Sequence, residues 1–228
     1  MRPVLLLLLL ALVVPVRAEA QACRLALVLA LDVSSSVDSE ERHLQLEGVA
    51  QALEDREVRN AFVALPGTSV ALLVFEWSGQ QDQSVLQDWV DISSVADLDR
   101  VARQLRLNWP RRANRPTALG YALDFARRKL TDRAYCFDWK VDVSGDGRNN
   151  DGLPPDKMYK WQDYSGITVN ALAVGHQATD LAEYFETTVI RGPGAFVMEA
   201  TDYDDFARAI RKKLVRELGV PKLGLAGN

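Results

Sequence analysis

Residues 25–31, LALVLAL, are continuously apolar and stop at Asp32, a pattern that predicts a strand buried on both faces, as in the middle of a parallel sheet. A polar loop follows. Asp38, with Glu41 three residues later, has the form of a capping box, and Leu44, Gly48, Ala52 and Leu53 fall on one side of the helix it opens, which is expected to fade near Arg56. Residues 58–65 add a further turn or two of helix before Pro66-Gly67 breaks the chain. SVALLVFEW (69–77) and residues 84–92 then read as two strands joined around Gly79, an antiparallel hairpin. Val95, Leu98, Val101, Ala102 and Leu105 recur at helical spacing, as do Leu119, Ala122, Leu123, Ala126 and Leu130 after a basic, Pro-bearing loop at 111–116. Residues 137–143, 167–174 and 195–198 resume strand character. The last two are each followed by a helix candidate, of which residues 203–218 form the clearest.

Strands alternating with helices predict an α/β domain with a mostly parallel central sheet, one antiparallel edge strand and helices on both faces. Ligands of such sheets sit beyond the carboxyl ends of the strands, so chemistry is to be sought just after each strand.

The first residues stand apart from that pattern. Arg2 precedes an unbroken apolar run at 4–14, and Pro15, Arg17 and small-residue sites at Ala18, Ala20 and Ala22 follow, the layout of an export signal cleaved near residues 20–22. The run is shorter than the roughly 20 residues a bilayer span needs, and no later segment would span one. The expected organisation is a signal peptide at 1–20, one domain at 21–218 and a loose tail at 219–228. The protein is thereby expected to be periplasmic or secreted. Cys23 follows Ala22, but Ala20 stands where a lipidation signal wants Leu.

Composition narrows the function. The chain has 48% hydrophobic and 25% charged residues, a formal net charge of -4 and only two histidines. Nucleic-acid binding, which needs Lys and Arg concentrated on one face, is disfavoured, and so is a His-rich metal centre. Hard oxygen donors are better represented. Asp32-Val33-Ser34-Ser35-Ser36 places a carboxylate and two hydroxyls at alternate positions just after the first strand, and Thr117 and Asp146 follow in two later loops. Oxygen donors from separate loops suit Mg²⁺, which keeps several waters in its shell. The bland reading of each residue is a loop former or helix cap, and Thr117 stands where an N-cap would.

An Asp-x-Ser-x-Ser loop, a distal Thr and a distal Asp in this chain order resemble the metal-ion-dependent adhesion site of the von Willebrand factor A-type domain, over about residues 24–218. The wording departs from the family's in two places: Ser144-Gly145-Asp146-Gly147 stands for the usual Thr-Asp-Gly, and Pro116-Thr117 for Gly-Thr. The resemblance implies a three-layer, doubly wound, Rossmann-like fold. It also implies that Asp32, Ser34, Ser36, Thr117 and Asp146 hold Mg²⁺, or Mn²⁺ or Ca²⁺ in its place, with one position left to a carboxylate. The chain is similar to short exported bacterial proteins of this type whose role is unknown. The resembled fold places the strands after Cys23 and Cys136 side by side and parallel, which implies a disulfide between these two cysteines in an exported chain.

The functional expectation is a non-catalytic module, monomeric when free, that binds a protein partner presenting an Asp or Glu carboxylate to the ion. The alternatives are a metal-dependent hydrolase and a metal-free structural envelope domain. For the hydrolase, the sequence has no Gly-x-Ser-x-Gly elbow, Walker loop or His-Glu-x-x-His helix, and neither His43 nor His176 is placed beside a nucleophile. Residues 146–152 lack the distal Glu of an EF-hand and read as a polar turn. Glu76, Trp77, Trp109 and His176 are weaker candidates for the rim of the site, as is the basic stretch 111–115.

Overall fold

The computed structural model describes residues 21–108, 115–175 and 178–219. The expected signal segment, Trp109, residues 111–114, His176 and the tail from 220 lie outside the described residues.

The six-stranded sheet has the order β3-β2-β1-β4-β5-β6. Its strands are β1 (Ala22–Asp32), β2 (Thr68–Trp77), β3 (Gln83–Ile92), β4 (Asp138–Gly145), β5 (Ile167–Val174) and β6 (Val197–Ala200). All neighbours pair in parallel except β3, which runs antiparallel to β2 at the edge. The helices are α1 (Ser39–Glu54), α2 (Arg56–Phe62), α3 (Val95–Arg106), α4 (Leu119–Thr131), α5 (Pro155–Trp161), α6 (Ala178–Tyr184) and α7 (Phe206–Leu218), with a π-helical turn at Phe185–Val189 after α6.

The apolar run of β1 is explained by burial on both faces. Leu25, Leu27, Leu29 and Leu31 face a core formed with α1, α2, α3 and α7, while Ala26, Val28 and Ala30 face a second core formed with α4, the π-helical turn and Phe75 of β2. Alternation along a strand sends successive side chains to opposite faces, so the large Leu residues all serve one layer and the small residues the other. Asp38 caps α1 as expected, accepting from the Glu40 and Glu41 N–H groups while Glu41 accepts from the Asp38 N–H.

Four boundaries differ from the pattern-based expectation. The first helix stops at Glu54 because the Asp55 side chain caps a new one, accepting from the Glu57 and Val58 N–H groups. Helix α4 begins at Leu119, so Thr117 does not cap it: the Thr117 carbonyl accepts from the Asn150 and Asp151 N–H groups, and the Ala118 N–H goes to the Ser78 carbonyl. Helix α7 begins at Phe206 and not at residue 203, since Asp202 and Asp205 use their carboxylates on the N–H groups of Asp205 and Thr201. The last strand begins at Val197, two residues late, after Gly192 and Gly194 turn the chain at positive φ. Helix α5, opened by Pro155 at its first position, is too short for a periodic signal.

Cys23, at the start of β1, and Cys136, just before β4, form a disulfide with 4.6 Å between their Cα atoms. It lies at the opposite end of the sheet from Asp32 and closes a separation of 113 residues.

Candidate metal centre

Strand β1 lies between β2 and β4, so the chain leaves it toward one face of the sheet and β4 toward the other. At that switch point the loops diverge and leave a crevice at the carboxyl ends of the strands. Asp32, the last residue of β1, lies there, and Asp146 directly follows Gly145 at the end of β4.

The loop after β1 is held on three sides. The Val33 N–H donates to the Trp77 carbonyl, the Ser35 N–H to the Arg115 carbonyl, and the Val37 N–H closes a turn onto the Ser34 carbonyl, each at 2.9 Å. This curls the loop so that alternate side chains converge. The Ser34 N–H donates to Asp32 Oδ1 at 2.8 Å, the Ser34 and Ser36 hydroxyl oxygens are 3.3 Å apart, and Ser36 Oγ donates to Asp146 Oδ1 at 2.6 Å. Four of the five candidate residues are thus joined in one polar cluster. Thr117 reaches the neighbouring loop: its Oγ1 lies 4.0 Å from the position a Cβ would take on Gly147, and its N–H donates to Asn150 Oδ1.

The electrostatics of the cluster are unbalanced. Asp32 and Ser34 are fully buried, and Asp32 Oδ2 has no hydrogen-bond partner among the described residues. Burial, and then the negative charge of Asp146, push the Asp32 carboxyl up to about 7, and burial raises Asp146 as well. Two carboxylates this close, one of them fully buried, are costly without a counter-charge. The donors therefore fit a hard divalent cation: an orphaned carboxylate oxygen, a second carboxylate and three hydroxyls, all oxygen. No group of three or more His, Cys, Asp or Glu side chains suited to a metal ion occurs among the described residues, so hydroxyls would supply most protein ligands here.

Residues that pattern reading missed hold the cluster from behind. Gln45, buried on α1, donates from Nε2 to the Asp32 carbonyl at 2.8 Å, and Ser144 Oγ is 3.3 Å from Gln45 Oε1. Arg42, one turn earlier, forms a buried ion pair with Glu76 at the end of β2. Their signal was present as polar residues inside the buried stripe of an amphipathic helix. Asn149 and Asn150 clamp the start of α4 through the N–H groups of Gly120 and Thr117. Trp77 is buried at the sheet end, and Glu76 faces Arg42 inside the protein. A groove lined by Asp146, Gly147, Arg148, Asn149 and Asp180 opens beside the cluster, and Arg115, the last residue of the basic loop, lies exposed 3.9 Å from Asp82 on the other side.

A mostly parallel, doubly wound sheet of this order is the von Willebrand factor A fold, and solved structures of that class superpose on the chain. Proximal thread matrix protein 1 from the mussel byssus, in a structure described as having a zinc-occupied metal-ion-dependent adhesion site, is 15% identical with a TM-score of 0.58 over 86% of this chain and 48% of its own. The von Willebrand factor type A protein from Catenulispora acidiphila is 16% identical, with a TM-score of 0.57 over 86% of this chain and 43% of its own. The pilus adhesin SpaC from Lactobacillus rhamnosus GG is 12% identical, with a TM-score of 0.62 over 88% of this chain and 31% of its own. The chain thus spans about half or less of the length of these proteins, and at such identities the likeness concerns the fold. No curated protein matches the sequence. The chain belongs to the family described as protein of unknown function (DUF1194), whose profile matches residues 22–222.

Proposed function

We propose that the protein is an exported interaction module that grips a protein partner through a divalent cation held by Asp32, Ser34, Ser36, Thr117 and Asp146. The observation that carries this reading is the buried, unpartnered Asp32 Oδ2 beside a hydroxyl cluster and a second carboxylate. A cation bound there supplies the missing positive charge and, having few protein carboxylates around it, attracts an Asp or Glu from the partner. Ser34 and Ser36 orient toward the same point through their shared contact, and Gln45 fixes the Asp32 backbone from inside the core. The zinc-occupied site of the mussel protein supports divalent binding on this fold; for this chain Mg²⁺ is the proposed ion, with Mn²⁺ and Ca²⁺ as substitutes.

The module is read as non-catalytic and, when free, monomeric. His43, the one histidine among the described residues, is exposed on α1. Export, with cleavage near residues 20–22, is supported by the disulfide, a bond at home in oxidising compartments, and no helix among the described residues is long and apolar enough to cross a membrane.

Calorimetric titration of Mg²⁺ and Mn²⁺ into chelator-treated protein tests the reading. Saturable one-site binding, lost in both Asp32→Ala and Asp146→Ala, is expected. Wild-type protein that takes up neither ion while folded would leave the metal-free structural role as the better account.

A further inference from the structure

Away from the metal centre, between the sheet and α7, Lys213, Asp142 and Glu217 form a closed ionic cluster. Lys213 is 0% exposed and Asp142 and Glu217 each 2%. Lys213 Nζ lies 2.7 Å from Asp142 Oδ1 and 2.8 Å from Glu217 Oε1. Asn170 Nδ2 donates to the same Glu217 oxygen at 2.8 Å, while Asn170 Oδ1 accepts from the Phe196 N–H. The Phe196 ring covers the ammonium at 5.1 Å.

As a salt bridge this arrangement is poorly balanced. One cation faces two carboxyl groups in a dry pocket; Asp142 and Glu217 also meet each other side chain to side chain, and no other group among the described residues donates to Asp142 Oδ2 or Glu217 Oε2. Burying unpaired carboxylate oxygens is expensive, and a single ammonium does not repay it. The same arrangement is well suited to acyl transfer: an amine held against a carboxyl group, a second carboxylate on the amine as proton acceptor, and water excluded.

We infer that Lys213 and Asp142 condense into an intramolecular isopeptide bond, with Glu217 as the catalytic proton carrier. Glu217 takes a proton from the Lys213 ammonium, and the free amine adds to Asp142 Cγ. The Nζ–Cγ bond forms, the bond from Cγ to its hydroxyl oxygen breaks, and that hydroxyl leaves as water with a second proton from Nζ. Glu217 ends protonated. Nothing is oxidised or reduced and no co-reactant is consumed. The electrophile must be the protonated acid, and burial followed by the charge of Glu217 raises the Asp142 carboxyl in that direction. The product leaves no buried charge in the pocket, since a neutral amide and a protonated Glu217 stand where an ammonium and the Glu217 carboxylate stood. It would join α7 to β4 covalently, a second cross-link beside Cys23–Cys136.

Mass spectrometry of the purified full chain, with its disulfide reduced, tests this without any variant. The expected mass is one water below that calculated for the observed termini, and trypsin should fail to cut after Lys213 and release a branched peptide joining it to the segment containing Asp142. Glu217→Gln is expected to lose the branched peptide while its circular dichroism stays unchanged. Linear peptides ending at Lys213 in the wild type would overturn the bond, as would a water loss that maps to Asp146-Gly147. A branched peptide persisting in Glu217→Gln would overturn the role given to Glu217. Should that variant fail to fold, the wild-type digest decides alone.

Discussion

Ser36 Oγ donates to Asp146 Oδ1 at 2.6 Å across 110 residues of sequence. This one contact ties the loop after β1 to the loop after β4 at the switch point of the sheet. It also explains why the cluster is built from neighbouring parallel strands: β1 and β4 pair in register from Leu25–Asp138 to Leu31–Ser144, so their ends deliver Asp32 and Asp146 to the same place.

Gln45 supports that place without belonging to it. Its side chain reaches the Asp32 carbonyl and the Ser144 hydroxyl from α1. Gln45→Ala is expected to leave the protein folded but to weaken Mg²⁺ binding by about tenfold or more, the usual cost of losing an outer support of a metal ligand. Titration of the variant beside wild type checks this; equal affinities would remove Gln45 from the site.

Gly120 is constrained by close approach. A Cβ there would come within 2.1 Å of the Leu153 carbonyl oxygen, a backbone atom that has no rotamer with which to yield. Gly120→Ala is expected to destabilise the fold by about 2 kcal/mol or more, as overpacking does. Because the same turn carries Thr117, Mg²⁺ affinity should fall as well. Urea unfolding at unchanged m-value gives the stability term.

Asp97, the third residue of α3, completes a capping box with the N-cap Ser94 and is buried in the process. Burial raises its carboxyl, but hydrogen bonds from Ser93, Ser94 and Arg100 outweigh this and hold it below the ordinary aspartate range. A lowered folded-state value means stability that is fully present above the unfolded value and lost as pH falls through the folded one. Asp97→Ala should therefore cost about 1 kcal/mol at neutral pH, and the gap to wild type should close progressively below about pH 4. A gap that stays constant into acid would show that the carboxylate charge plays no part.

The disulfide should stabilise through the unfolded chain. Closing so long a loop is worth about 5 kcal/mol in the chain-entropy picture. Reduction, or Cys23→Ser with Cys136→Ser, is expected to lower the denaturation midpoint while leaving Mg²⁺ affinity nearly unchanged, because the bond is at the far end of β1 from Asp32. Loss of metal binding on reduction would show the two ends of the sheet to be coupled.

The pattern of the chain carried the architecture far. The unbroken run at 25–31, the hairpin around Gly79 and the periodic helices determined an α/β sheet with an antiparallel edge, because burial on both faces, on one face or on one helical stripe each leaves its own period in the sequence. The candidate oxygen donors Asp32, Ser34, Ser36, Thr117 and Asp146 could also be named from the sequence, since each stands at or just beyond a strand end or just before a helix. Hydrogen bonding outside the helices moved both helix starts: at Leu119 through distant partners, Asn150 for the Thr117 N–H and the Ser78 carbonyl for the Ala118 N–H, and at Phe206 through the local carboxylates of Asp202 and Asp205. Only the tertiary structure decided that Gln45 backs Asp32, that Arg42 meets Glu76, and that Lys213, Asp142 and Glu217 share one dry pocket. Apart from Lys213 and Glu217, one turn apart on α7, those partners lie 13 or more residues apart and come from different elements. Their pairing depends on which helix packs on which face of the sheet, and local periodicity does not encode that choice.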